Sequence, residues 1–81
     1  MKIHVTRKHI KQGKRGYISF CPIALALKGY GFKEVMVDDE MAQVDGKESW
    51  LSKRTRLFIA NFDLGKPVKP FVFNLKIKET P

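Results

Sequence analysis

Apolar positions alternate with polar ones at both ends of the chain and recur at helical spacing between them. At the start, Ile3 and Val5 alternate with Lys2, His4 and Thr6, the period of a half-buried strand. Thr6 then stands as a cap for a brief helical turn through Ile10. The segment Lys11-Gln12-Gly13-Lys14-Arg15-Gly16 breaks the pattern with two glycines and three cations and reads as a basic loop. Cys21-Pro22-Ile23-Ala24-Leu25-Ala26-Leu27 follows, an almost wholly apolar helix with proline in its first position and Cys21 as the N-cap. Gly29 and Gly31 mark its end. Phe32 to Val37 is rich in β-branched and apolar residues and reads as a strand. Met41-Ala42-Gln43-Val44, the Asp45-Gly46 dipeptide and Lys47-Glu48-Ser49-Trp50 then predict a hairpin with a type I′ turn. Beyond Ser52, a natural N-cap, Thr55, Phe58, Ile59 and Phe62 fall at i, i+3, i+4 and i+7, the stripe of an amphipathic helix. Last, Phe71, Phe73, Leu75 and Ile77 alternate with Val72, Asn74, Lys76 and Lys78 as a final strand.

The order predicts a small single α+β domain over residues 1–81. Its sheet is mostly antiparallel with two helices on one face, a β-α-β-β-α-β order that leans toward the ferredoxin-like arrangement. Eighty-one residues supply one modest core and no second lobe. No apolar run approaches the length of a membrane span, the N-terminus carries no apolar signal core, and the single cysteine permits no internal disulfide. A cytoplasmic protein without membrane association is the expectation.

Charge changes this picture through its distribution. The formal net charge is +8, yet residues 38–48 hold five acids against Lys47 alone and separate two strongly basic regions. A basic surface of this kind suits an anionic partner, nucleic acid or an acidic protein face, and equally suits plain solubility. The helix after Ser52 is charged against its own dipole: Lys53, Arg54 and Arg56 crowd the positive end and Asp63 sits at the negative end. Either a docked anion relieves this, or the acidic 38–48 segment lies close enough to neutralise it. The candidate binding residues are therefore Lys11, Lys14 and Arg15 in the loop and Lys53, Arg54 and Arg56 on the helix. Tyr17, Tyr30 and Trp50 are the candidates for stacking on bases, although aromatic residues more often fill the core.

Catalytic and metal chemistry find little support. Cys21 at a helix N-terminus faces free amides that favour a thiolate, but a cysteine beside an Ile/Ala/Leu helix is more often inert packing. Nothing in the spacing joins it to His4 or His9. One cysteine and two histidines are too few for zinc, and the consecutive Asp38-Asp39-Glu40 lacks the alternation of a calcium loop. The expectation is a non-enzyme without cofactor or metal.

Val5-Thr6, His9-Ile10, Gly13 and Gly16, the Cys21–Leu27 helix start, Phe62-Asp63-Leu64-Gly65, and Val68, Pro70, Phe71 and Phe73 together resemble a group of small phage and prophage proteins of about this length. The resemblance covers most of the chain. It implies a phage-encoded inhibitor that binds a host protein or ribonucleoprotein complex, as anti-CRISPR proteins bind CRISPR effectors. It carries over no catalytic residue, and the basic loop and basic helix start are not among the matching positions. A direct nucleic-acid-binding phage protein is the alternative.

Overall fold

The computed structural model describes residues 1–76. Five strands and three helices follow in the order β1 (Lys2–Val5), α1 (Arg7–Gln12), α2 (Pro22–Gly29), β2 (Val35–Val37), β3 (Met41–Val44), β4 (Lys47–Trp50), α3 (Lys53–Asp63) and β5 (Phe71–Asn74). The α+β class with antiparallel pairing is therefore observed. The strands divide into two sheets, however: β1 pairs with β5, and β2-β3-β4 form a separate meander. Among the described residues no pairing joins the two halves, so the single sheet of a ferredoxin-like arrangement is not formed there.

Local chemistry accounts for each element. Thr6 caps α1 by accepting the His9 amide at 3.4 Å, while His9 Nδ1 accepts the Thr6 N–H at 3.0 Å, a reciprocal capping box. Helix α1 runs past Ile10 to Gln12, and its last turn is closed by the Gly13 N–H on the His9 carbonyl at 2.8 Å. His9 must be unprotonated on Nδ1 to accept, and burial together with the Lys8 charge pushes its pKa below the ordinary 6.5. A group with a depressed folded-state pKa contributes stability that is present above the unfolded value and is lost as pH falls through the folded value. Acidification below about pH 6.5 is thus expected to loosen α1, read as faster amide exchange at Thr6 and His9. His9→Gln, which keeps a neutral acceptor, should remove that dependence.

Gly13 ends α1 for a steric reason. A Cβ there would stand 2.6 Å from the Pro22 ring, so only glycine lets the loop cross the start of α2. In the meander, Asp45 (φ 48°) and Gly46 (φ 79°) form the type I′ turn. Asp45 Oδ1 also accepts the Lys33 and Glu34 amides at 2.9 and 2.8 Å. That clamp holds Lys33 and Glu34 in a bend, and so β2 starts at Val35 and not at Phe32.

The core lies between the two sheets and the helices. Ile3 and Val5, Ile23 and Leu27, Val35 and Val37, and Val44 are all essentially solvent-free. Helix α2 packs against β1 of one sheet and β2 of the other, and so joins the two. Helix α3 turns Thr55, Phe58, Ile59 and Phe62 inward, the stripe read from the sequence. Phe58 meets Phe71 with ring centroids 4.6 Å apart, and Phe71 meets Phe73 at 5.9 Å, which fixes α3 on β5. Met1 and Leu75 exchange backbone bonds beyond the end of β5, while Ile77 and Lys78 lie outside the described residues.

Candidate binding surface

Helix α3 separates the two groups of candidate cations. Its N-cap is Ser52, whose Oγ accepts the Thr55 amide at 3.3 Å and shares a 2.9 Å bond with Thr55 Oγ1. Lys53, Arg54 and Arg56 occupy the first turn, with no acid among them to offset the dipole. The basic loop lies against the opposite end. Gly16 donates to Asp63 Oδ1 at 3.4 Å, and the Arg15 guanidinium covers Gly65, 3.4 Å from where a Cβ on that glycine would stand. Eleven residues lie between these ends, about 16 Å at ~1.5 Å per residue. Lys11, Lys14 and Arg15 thus do not join Lys53, Arg54 and Arg56 in one patch. The contact also explains the acid at the negative end of α3: Asp63 holds the loop.

Each cation group has an exposed aromatic neighbour. In the loop, Lys14 Nζ lies 5.9 Å from the Tyr17 ring centroid and 5.8 Å from that of Phe20. Lys28 Nζ sits closer over Phe20, at 4.3 Å, and donates to the Ser19 carbonyl at 2.6 Å. Near the α3 start, Trp50 is 72% exposed, the most open aromatic residue in the structure, and Arg54 lies 5.8 Å over Phe71. Tyr17, Tyr30 and Trp50 are all exposed, and the expectation that most such aromatics fill the core is corrected. The core is already filled by the aliphatic residues of α2 and the meander and by Phe58, Phe62 and Phe73.

Between the α3 start and β5 runs an open groove of about 410 Å³, walled by Trp50, Arg54 and Thr55 on one side and by Val72, Asn74 and Lys76 on the other. Of the six cations singled out in the sequence, Arg54 alone lines it. Trp50, a stacking candidate from the sequence, lines it too, and Lys76 is an addition. The signal for Trp50 was available, since alternation along β4 places it on the face of Glu48 and opposite the buried Ser49.

Two of the five acids in residues 38–48, Asp38 and Asp45, are engaged with backbone amides. Asp38 Oδ1 accepts the Glu40 and Met41 amides at 2.8 and 2.7 Å, and Asp45 holds residues 33 and 34 as described. These two carboxylates shape turns. Among the described residues no group of three His, Cys, Asp or Glu is placed to hold a metal ion, and no helix is long and apolar enough to cross a membrane.

Cys21 is the N-cap of α2, as its position before Pro22 implied, with Sγ accepting the Ala24 amide at 3.4 Å. It is nonetheless buried, and burial pushes the thiol above its ordinary pKa of 9.0 despite the amides that favour the thiolate. A raised folded-state value means that the stability this thiol contributes is present below pH 9.0 and is lost as pH rises through the folded value. Iodoacetamide at neutral pH is accordingly expected to modify the native protein far more slowly than the urea-unfolded chain. Equal rates in the two states would return Cys21 to the list of reactive thiols.

Comparison with protein-family models, with curated proteins and with solved structures gave no match.

Proposed function

We propose that this protein is a non-enzymatic binding protein that engages an anionic partner through the first turn of α3, in the manner of a small phage inhibitor of a host defence factor. The observation that carries this reading is the charge of that turn. Lys53, Arg54 and Arg56 lie at the positive end of the helix with no acidic residue among them, beside the open groove and exposed Trp50. Each such charge disfavours the free protein by about 0.3–1 kcal/mol at an exposed terminus, and an anion docked there reverses the sign. The fold retains an arrangement that a partner would relieve, the usual mark of functional surface.

The resemblance to small phage proteins supplies the partner class: a host protein or ribonucleoprotein complex in the host cytoplasm, with a CRISPR effector as the specific candidate. A protein of this size blocks such a complex by occupying an acidic face or a nucleic-acid path, and needs no catalytic group. Burial of Cys21, the best nucleophile candidate, agrees with that.

One feature favours direct nucleic-acid binding as the second reading. An exposed tryptophan within the same groove as an arginine is the combination that stacks bases and contacts phosphates. Mobility-shift assays with single- and double-stranded DNA and RNA at two salt concentrations decide between the readings. Binding that survives physiological salt, and disappears when Lys53, Arg54 and Arg56 are replaced by alanine, establishes the second. Absence of a shift, with capture of a purified effector complex, establishes the first.

A further inference from the structure

The groove beside α3 is bounded by an unpaired strand edge. Leu75 donates to the Met1 carbonyl at 2.8 Å, and the Met1 terminal amine reaches back to the Leu75 carbonyl at 3.4 Å, so these two residues form a mutually bonded pair. Pairing between β1 and β5 continues in register from Lys2↔Asn74 to Val5↔Phe71. Bonded pairs alternate along an antiparallel ladder, so Phe73 and Phe71 also direct their amides and carbonyls at β1. The N–H and C=O groups of Val72 and Asn74 therefore point the other way. That edge has no strand partner among the described residues, and it is the wall of the groove.

The meander ends on the same groove with a second open edge. Leu51 donates to the Glu40 carbonyl at 3.0 Å, which places the Trp50 amide and carbonyl away from β3 by the same alternation. Neither edge has a strand partner among the described residues, and Trp50 from one and Val72 and Asn74 from the other line the same groove. Exposed edges are ordinarily blunted by proline, lysine, a bulge or a covering element. Here Pro70 precedes β5 and Lys76 lies two residues beyond it, and the four residues of β5 themselves include no proline or lysine.

We infer that this groove binds an extended acidic segment of a protein partner, which adds to β5 as a strand. The inference rests on the proposed protein-binding function and specifies how the partner is held. Val72 and Asn74 supply backbone hydrogen bonds that do not depend on the partner's side chains. The four residues of β5 span about 13 Å at ~3.3 Å per residue, which fits a short added strand of similar length. Charge selects the sequence: among the described residues the groove wall presents Arg54 and Lys76 and no carboxylate. Arg54 is held in place over the Phe71 ring. Trp50 offers an apolar face to alternate side chains of the guest. A strand with acidic residues on one side and apolar residues on the other matches this lining.

The experiment is a selection from a displayed library of random twelve-residue peptides on the full chain, followed by binding measurements on the enriched peptides. Enrichment of segments that alternate acidic and apolar residues is expected. N-methylation of the peptide amides that face β5 should weaken binding by about tenfold per lost bond, while methylation of the intervening amides leaves it unchanged. In hydrogen exchange, the Val72 and Asn74 amides should become protected when the unmethylated peptide is added. Val72→Pro, which removes one edge donor at a position where an edge strand tolerates proline, should reduce binding similarly. The methylated peptides make the same test on unaltered protein should that variant fail to fold. No enrichment, enrichment of peptides indifferent to N-methylation, or displacement of nothing but single-stranded DNA from this groove would overturn the inference. An effector complex captured through Lys53, Arg54 and Arg56 with no change in Val72→Pro would leave the proposed function standing and remove only the strand addition.

Discussion

Replacing Ile23 with alanine is expected to lower the stability of the protein by about 2–5 kcal/mol, a large share of the ~5–10 kcal/mol available to a domain of this size. Ile23 is solvent-free in the first turn of α2, and α2 is the element that contacts one strand from each sheet. The two sheets share no strand pairing, so their mutual position depends on side chains such as this one. Truncation there removes transfer free energy and leaves a cavity that two separately built sheets close only in part. Urea unfolding followed by circular dichroism measures the loss. Trp50 fluorescence would be a poor probe, because that side chain is already solvated in the native state. Leu64→Ala, at a side chain 71% exposed just beyond α3, should change stability by no more than about 0.5 kcal/mol. An equally small effect at Ile23 would contradict the role given to α2.

Neutralising Lys53, Arg54 and Arg56 together is expected to produce two effects of opposite sign. Partner association should slow by about two orders of magnitude, since these charges steer and position an anionic face. The free protein should become more stable, by up to about 1 kcal/mol per removed charge, because the helix dipole no longer opposes them. The combination is diagnostic. A variant that lost binding through misfolding would lose stability as well, whereas this one should unfold at higher urea while binding less. Alanine at Lys11, Lys14 and Arg15 is the matched control. Those residues belong to the other end of α3, so their removal should spare binding at the groove, and loss of Arg15 should affect only the packing over Gly65.

The elements were legible in the sequence wherever a local rule had no competitor. The Cys21-Pro22 cap, the Asp45-Gly46 turn and the Thr55–Phe62 stripe depend on residues a few positions apart, and each appears where periodicity and capping place it. Boundaries moved where a side chain from elsewhere intervened. Asp45 turned Lys33 and Glu34 from strand into bend, and α1 runs on until Gly13 meets the Pro22 ring. The division into two sheets was not legible, because strand pairing is a long-range choice that alternation does not encode.

The candidate surface was legible as charge and illegible as geometry. Counting cations found both groups, but only the contact of Arg15 with Gly65 and of Gly16 with Asp63 shows that they lie at opposite ends of a helix. Trp50 could be named in the sequence only as one of three stacking candidates, weighed against the core, because exposure of a large apolar side chain is a tertiary property. The groove itself required knowledge of which strand edges stay unpaired, and no pattern within β4 or β5 reports that.

The central claim is that the first turn of α3 holds an anionic partner at the expense of the free protein's stability. The most direct measurement is quantitative capture from host lysate at physiological salt, comparing the unaltered protein with the Lys53→Ala/Arg54→Ala/Arg56→Ala variant and with the loop control. An acidic protein or a ribonucleoprotein complex should be retained by the unaltered protein and the loop control and lost by the α3 variant. Retention of the same complex by the α3 variant, or its loss only in the loop control, would contradict it.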